Sequence, residues 1–136
     1  MQNRSEAQYV VPALKCEVDI KSLLYRLYVP FCPYGDLWDL MMRYRRSNLL
    51  VPEPFLWRVF EALVETGQMM EKGGLFDEHT ERWLQIVHRD LKPCNAFLDL
   101  EPGGEGSRYP RYPTPKVADF GLAFQTWPDD PLNPMI

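Results

Sequence analysis

Two short runs constrain this chain more than the rest of it: His88-Arg89-Asp90-Leu91-Lys92-Pro93-Cys94-Asn95 and Asp119-Phe120-Gly121. Apolar stretches frame the first run, Ile86-Val87 before it and Ala96-Phe97-Leu98 after it. Lys116-Val117-Ala118 leads into the second. Each of these stretches reads as a short strand. A strand-loop-strand carrying Asp90, Lys92 and Asn95, beside a strand ending at Asp119, can converge all four side chains.

That set suits phosphoryl transfer. Nucleotide phosphates need metal ions, and the metals need hard oxygen ligands such as the Asp119 carboxylate and the Asn95 amide oxygen. An attacking hydroxyl needs a positioned carboxylate, which Asp90 supplies. A lysine such as Lys92 offsets charge gathering on the transferred group. Taken singly these residues mean little: His88 would be a core histidine, Asp90 a helix cap and Asp-Phe-Gly a turn. The joint order carries the signal.

The stretch from Ile86 to Asn95 resembles the catalytic loop of eukaryotic protein kinases, and Ala118 to Ala123 resembles their metal-binding motif. The resemblance implies an α+β fragment of the two-lobed kinase fold: the end of the N-lobe sheet, the hinge, the first C-lobe helices and the catalytic-loop strands. It implies Asp90 as catalytic base, Lys92 on the γ-phosphate, and Asn95 and Asp119 as holders of Mg2+. Lysine two residues after the aspartate is similar to the serine/threonine subgroup. ATP would be the phosphate donor and protein serine or threonine hydroxyls the acceptors. His88 and Phe120 would stack where the two motifs meet, and Arg89 would pair with a phosphorylated activation loop.

Upstream, Leu27 to Leu37 (Leu-Tyr-Val-Pro-Phe-Cys-Pro-Tyr-Gly-Asp-Leu) is similar to the strand, hinge and helix start that bracket adenine in that family. Val29 aligns with the gatekeeper, the Pro30 carbonyl and the Cys32 amide with the adenine contacts, and Asp36 with the ribose contact. Proline at position 30 is compatible, since only its carbonyl is needed. Phe97 departs from the pattern, standing under adenine where the family usually has an aliphatic residue. It could stack on the base or crowd it.

The match runs over about residues 25–123 of the 136, and the whole chain is expected to be a partial kinase domain. Residues 124–136 are expected to be a truncated activation loop without fixed structure. No glycine precedes Gly35, so the phosphate-covering loop has no counterpart. Ala13-Leu14-Lys15 mimics the strand with the phosphate-anchoring lysine but stands too close to Val29, so Lys15 is expected to be exposed and uninvolved. The chain by itself is therefore expected to transfer no phosphate. The competing reading is a non-catalytic product acting as a binding module.

Elsewhere the pattern mixes strands, helices and loops. A strand is expected over Leu23 to Phe31, with a shorter one near Tyr9-Val10-Val11 limited by Pro12. Asp36 should cap a helix bearing Leu37, Leu40, Met41 and Tyr44, closed by Arg43, Arg45 and Arg46. A longer helix begins near Pro52-Glu53-Pro54 and stops at Gly73-Gly74, with Phe55, Leu56, Val59, Phe60, Leu63, Gly67 and Met70 as its apolar face. Lacking the helices that would cover that face, the chain should associate. Glu101 to Pro115 reads as a surface loop, and the structure of Leu75 to Gln85 is left open. The tail from Trp127 is turn-rich and expected to be unanchored.

A net charge of −4 argues against nucleic acid as a partner. No apolar run approaches the length that spans a bilayer, and the first residues lack the core of a signal peptide. Cys16, Cys32 and Cys94 are odd in number and scattered, which suits reduced thiols inside a cell, in cytoplasm or nucleus.

Overall fold

The structure, a computed structural model, describes residues 8–73, 83–100 and 111–127. Most of the Leu75 to Gln85 stretch, residues 101–110 of the expected surface loop and the tail after Trp127 lie outside these residues. The described residues form an α+β arrangement of two helices and three separate two-stranded antiparallel sheets. No helix among them is long and apolar enough to cross a membrane.

The first sheet is a hairpin of β1 (Lys15–Asp19) and β2 (Leu24–Tyr28), in register from Lys15↔Tyr28 to Asp19↔Leu24. The turn forms because Asp19 accepts from the Lys21 and Ser22 amides and from the Ser22 hydroxyl, a local pattern typical of short acidic side chains. The expected strand over Leu23–Phe31 is thus present but shorter, and its partner β1 was not anticipated. Lys15 is exposed, pairs with Glu17 and lies over the Tyr28 ring within the same hairpin. Its exposure is the expected one.

Helix α1 (Leu37–Arg46) starts where Asp36 accepts from the Asp39 amide at 2.8 Å, the expected N-cap. Helix α2 (Glu53–Lys72) ends as Gly73 turns left-handed at φ 80 and its amide donates to the Met69 carbonyl. Trp83 covers that cap and donates from Nε1 to the Met70 carbonyl at 3.1 Å.

The buried face of α2 differs from the expected one. Phe55, Arg58, Ala62 and Thr66 are buried, whereas Leu56, Phe60 and Leu63 are exposed. Of the proposed stripe only Phe55 reaches the core. Polar residues turn inward because the surface they meet is rich in backbone acceptors. Arg58 donates to the Pro113 carbonyl at 2.9 Å and the Thr114 hydroxyl at 2.6 Å, and Thr66 donates to the Tyr9 carbonyl at 3.3 Å. Apolar periodicity cannot detect a face built on hydrogen bonds.

β4 (Ala96–Asp99) pairs with β5 (Thr114–Val117), with Ala96 opposite Val117 and Phe97 opposite Lys116. Thr114 and Pro115, assigned above to a surface loop, belong to β5 and are buried, held by α2. Ala118 lies just past the strand. Tyr9 to Val11 forms a single parallel bridge rather than a strand: Val117 donates to the Tyr9 carbonyl and Val11 to the Val117 carbonyl, at 2.8 and 2.9 Å. Phe55, Leu98 and Val117 are the largest fully buried side chains, so the core lies between α2 and this sheet. The third sheet joins β3 (Gln85–Val87) to β6 (Phe124–Thr126). β6 occupies the start of the segment expected to lack fixed structure, and it exists because β3 offers it an edge.

Candidate functional site

The 3-10 turn Pro93–Asn95 closes the octapeptide, leads directly into β4 and places Asn95 in the interior. Its side-chain nitrogen donates to the Asp90 carbonyl at 2.9 Å and to the Asp90 carboxylate at 3.0 Å. Because the nitrogen is turned to Asp90, the amide oxygen occupies the other branch. Lys92 Nζ meets the same carboxylate oxygen, Asp90 Oδ2, at 2.7 Å. Asp90, Lys92 and Asn95 are thus brought together as the sequence implied.

Asp119 joins them through the backbone. The Ala118 amide donates to the Asn95 carbonyl at 2.8 Å, fixing the residue before Asp119 against the turn. His88 reinforces this link. Its Nε2 lies 3.0 Å from the Ala118 carbonyl and its Nδ1 accepts from the Asp90 amide at 3.3 Å. A carbonyl only accepts and an amide N–H only donates, so both bonds are satisfied when Nε2 carries the proton. The His88 and Phe120 rings meet as expected, 4.5 Å apart, but tilted at 50° rather than stacked.

Asp119 adopts φ 62, which is uncommon for a residue with a side chain, and its carboxylate accepts from the Gly121 amide at 3.4 Å. Its charge reaches Lys92, where it adds to the forces that raise the lysine pKa. The first of those forces is the bond from Lys92 to Asp90, opposed by partial desolvation. Reciprocally, the Lys92 ammonium holds the Asp90 carboxyl below its ordinary range, against a smaller upward push from burial and with help from Asn95.

The hard oxygen groups that the sequence assigned to a metal are the exposed Asp119 carboxylate and the Asn95 amide. Among the described residues, no group of three or more His, Cys, Asp and Glu side chains gathers as a metal cage. Two hard oxygen ligands fit Mg2+, which usually keeps waters and takes further ligands from substrate phosphates.

The hinge-like residues form a second group docked against β4. Cys32 to Gly35 makes a turn closed by the Gly35 amide on the Cys32 carbonyl at 3.3 Å, with Gly35 at φ 75. That turn docks on β4: the Tyr34 amide donates to the Leu98 carbonyl at 3.2 Å and the Leu98 amide to the Gly35 carbonyl at 2.8 Å. Asp36 and Phe97 face each other as a bridge. Phe97 therefore lies beside the Cys32–Asp36 turn and two residues from Asn95. Burial pushes the Cys32 thiol up, with the Asp99 charge adding and Lys116 opposing. Val29 follows β2 and is 44% exposed, and Pro30 is half-buried. One Asp36 oxygen is committed to the α1 cap. Sequence reasoning missed the Lys116–Asp99 ion pair at 2.6 Å, which locks β5 to β4, since only the register reveals it.

No family model matches the chain. Curated proteins do. The chain is 30% identical over 115 aligned residues to the G2-specific protein kinase nimA of Emericella nidulans, covering 71% of this chain and 15% of that protein. It is 31% identical over 100 to the probable serine/threonine-protein kinase nek2 of Dictyostelium discoideum, covering 72% and 19%. It is 32% identical over 99 to the cysteine-rich receptor-like protein kinase 38 of Arabidopsis thaliana, covering 68% and 13%. The chain thus spans less than a fifth of the length of each of these relatives.

Proposed function

We propose, for a chain that belongs to the eukaryotic protein kinase family and carries part of a domain of the serine/threonine type, that the Asp90 group is a site for transfer of the ATP γ-phosphate to protein serine or threonine. The observation that carries this reading is the meeting of Lys92 and Asn95 on one Asp90 carboxylate oxygen, with Asp119 tied alongside through Ala118 and His88.

In that role Asp90 orients the acceptor hydroxyl and takes its proton. The Lys92 contact weakens Asp90 as a base in the resting site. An arriving phosphate offers Lys92 a second anion, and as the ammonium shifts toward it Asp90 recovers basicity. Asn95 donates from its nitrogen and so holds Asp90 in place while keeping its oxygen for Mg2+. Asp119 would be the second Mg2+ ligand, and the metal when bound neutralises phosphate charge. The Cys32–Asp36 turn over Phe97 would receive the base, with Val29 and Pro30 at its entrance. The partner this reading calls for is a protein substrate, with no role for nucleic acid or a membrane.

The test is a chimera in which residues 8–127 replace the corresponding segment of the nimA kinase domain. Labelled phosphate should pass from Mg2+-ATP to a serine-containing protein, and Asp90→Asn should abolish it. A folded chimera that is inert with Asp90 intact would refute the reading.

A further inference from the structure

Arg89 adopts φ 67, a left-handed conformation costly for a residue with a side chain. It does so at the step that aims Asp90. On one side Val87 is fixed by its pairing with Phe124 across β3 and β6. On the other, the Asp90 amide is held by His88. Only His88 and Arg89 stand between Val87 and the Asp90 amide, so the left-handed step falls inside this short span. The Arg89 guanidinium lies over the Phe124 ring, 5.6 Å from the centroid. A cation within about 6 Å of a ring centroid is attracted by the face of the ring. The partner expected for Arg89 was a phosphorylated residue. The structure supplies a neutral ring, which requires no modification.

We propose that Phe124 is a positioning residue. Its ring holds the Arg89 side chain, and that grip stabilises the left-handed turn that presents Asp90 to Lys92 and Asn95. The start of the segment after Gly121 is thereby coupled to the catalytic loop in the unmodified chain. What Asp90 does once presented rests on the function proposed above. The coupling itself does not.

The experiment uses the whole chain and needs neither nucleotide nor activity. Scalar couplings and carbon shifts of Arg89 report its left-handed population, and amide exchange in Gln85–Val87 reports the β3–β6 pairing. Phe124→Leu keeps apolar bulk but removes the ring face. It should lower the ratio of left-handed to other conformers at Arg89 about two- to fivefold while amide protection in β3 stays unchanged. Phe124→Trp, which keeps a ring, should retain both. The proposal is overturned if Phe124→Leu leaves the turn intact, if it removes β3–β6 protection together with the turn, or if Phe124→Trp loses the turn as well. Because no arm reads phosphate transfer, failure here is distinct from failure of the kinase reading.

Discussion

Replacing Arg58 by methionine tests the tie between α2 and β5. Arg58 is only 3% exposed. Its guanidinium makes charge-assisted bonds to the Pro113 carbonyl at 2.9 Å and the Thr114 hydroxyl at 2.6 Å. Methionine keeps the apolar stem and removes both. Bonds from a charged donor contribute roughly 1.5–3 kcal/mol each. Against that loss, the variant no longer buries a cation, whose desolvation offsets much of the gross gain. The net cost should be about 2–3 kcal/mol, or roughly 8–10 °C in melting temperature for a chain of this size. Thr114→Val removes one acceptor and should cost about 1–2 kcal/mol. As the two side chains share a bond, the double variant should cost less than the sum by about 1 kcal/mol. Urea unfolding followed by circular dichroism, with unchanged denaturant slope, gives all three values. A cost below about 0.5 kcal/mol for Arg58→Met, or strict additivity with Thr114→Val, would refute the claim that this bond pair fastens β5.

Gly73→Ala should destabilise by roughly 2 kcal/mol in thermal melts, since a methyl there meets Trp83 at 2.6 Å while φ stays at 80. The Asp90–Lys92 pair should follow pH in a fixed sense. Asp90 is lowered from 3.8 and Lys92 raised from 10.5, so the contact is complete between those values, is lost as acid protonates Asp90, and is lost again as strong base neutralises Lys92. An Asp90 midpoint above 3.8 in a carbon-detected NMR titration would contradict this. The exposed Leu56, Trp57 and Phe60 on α2 should drive concentration-dependent association. Phe60→Asp should reduce it in sedimentation velocity, and a clean monomer of the unaltered chain at all concentrations would count against the idea.

The site was legible in the sequence because its geometry is local. Asp90, Lys92 and Asn95 lie within one short loop, and the turn at Pro93–Asn95 suffices to gather them. Asp36 as a cap and Gly73 as a stop were legible for the same reason, each acting within one turn of its helix. The buried face of α2 was not. Arg58 and Thr66 are inward because of carbonyls some 55 residues away in sequence. β6 escaped notice because a three-residue strand has no pattern of its own and exists only through β3. The Arg89–Phe124 contact depends on that same pairing.

The most direct measurement of the central claim is where a paramagnetic metal sits. Mn2+ added with a non-hydrolysable ATP analogue should broaden NMR signals of Lys92–Ala96 and Ala118–Gly121 before any others. The broadening should vanish in the Asn95→Ala, Asp119→Ala double variant. Broadening centred elsewhere, or surviving in the double variant, would show that Asn95 and Asp119 do not hold the metal and that the Asp90 group is not a phosphoryl-transfer site.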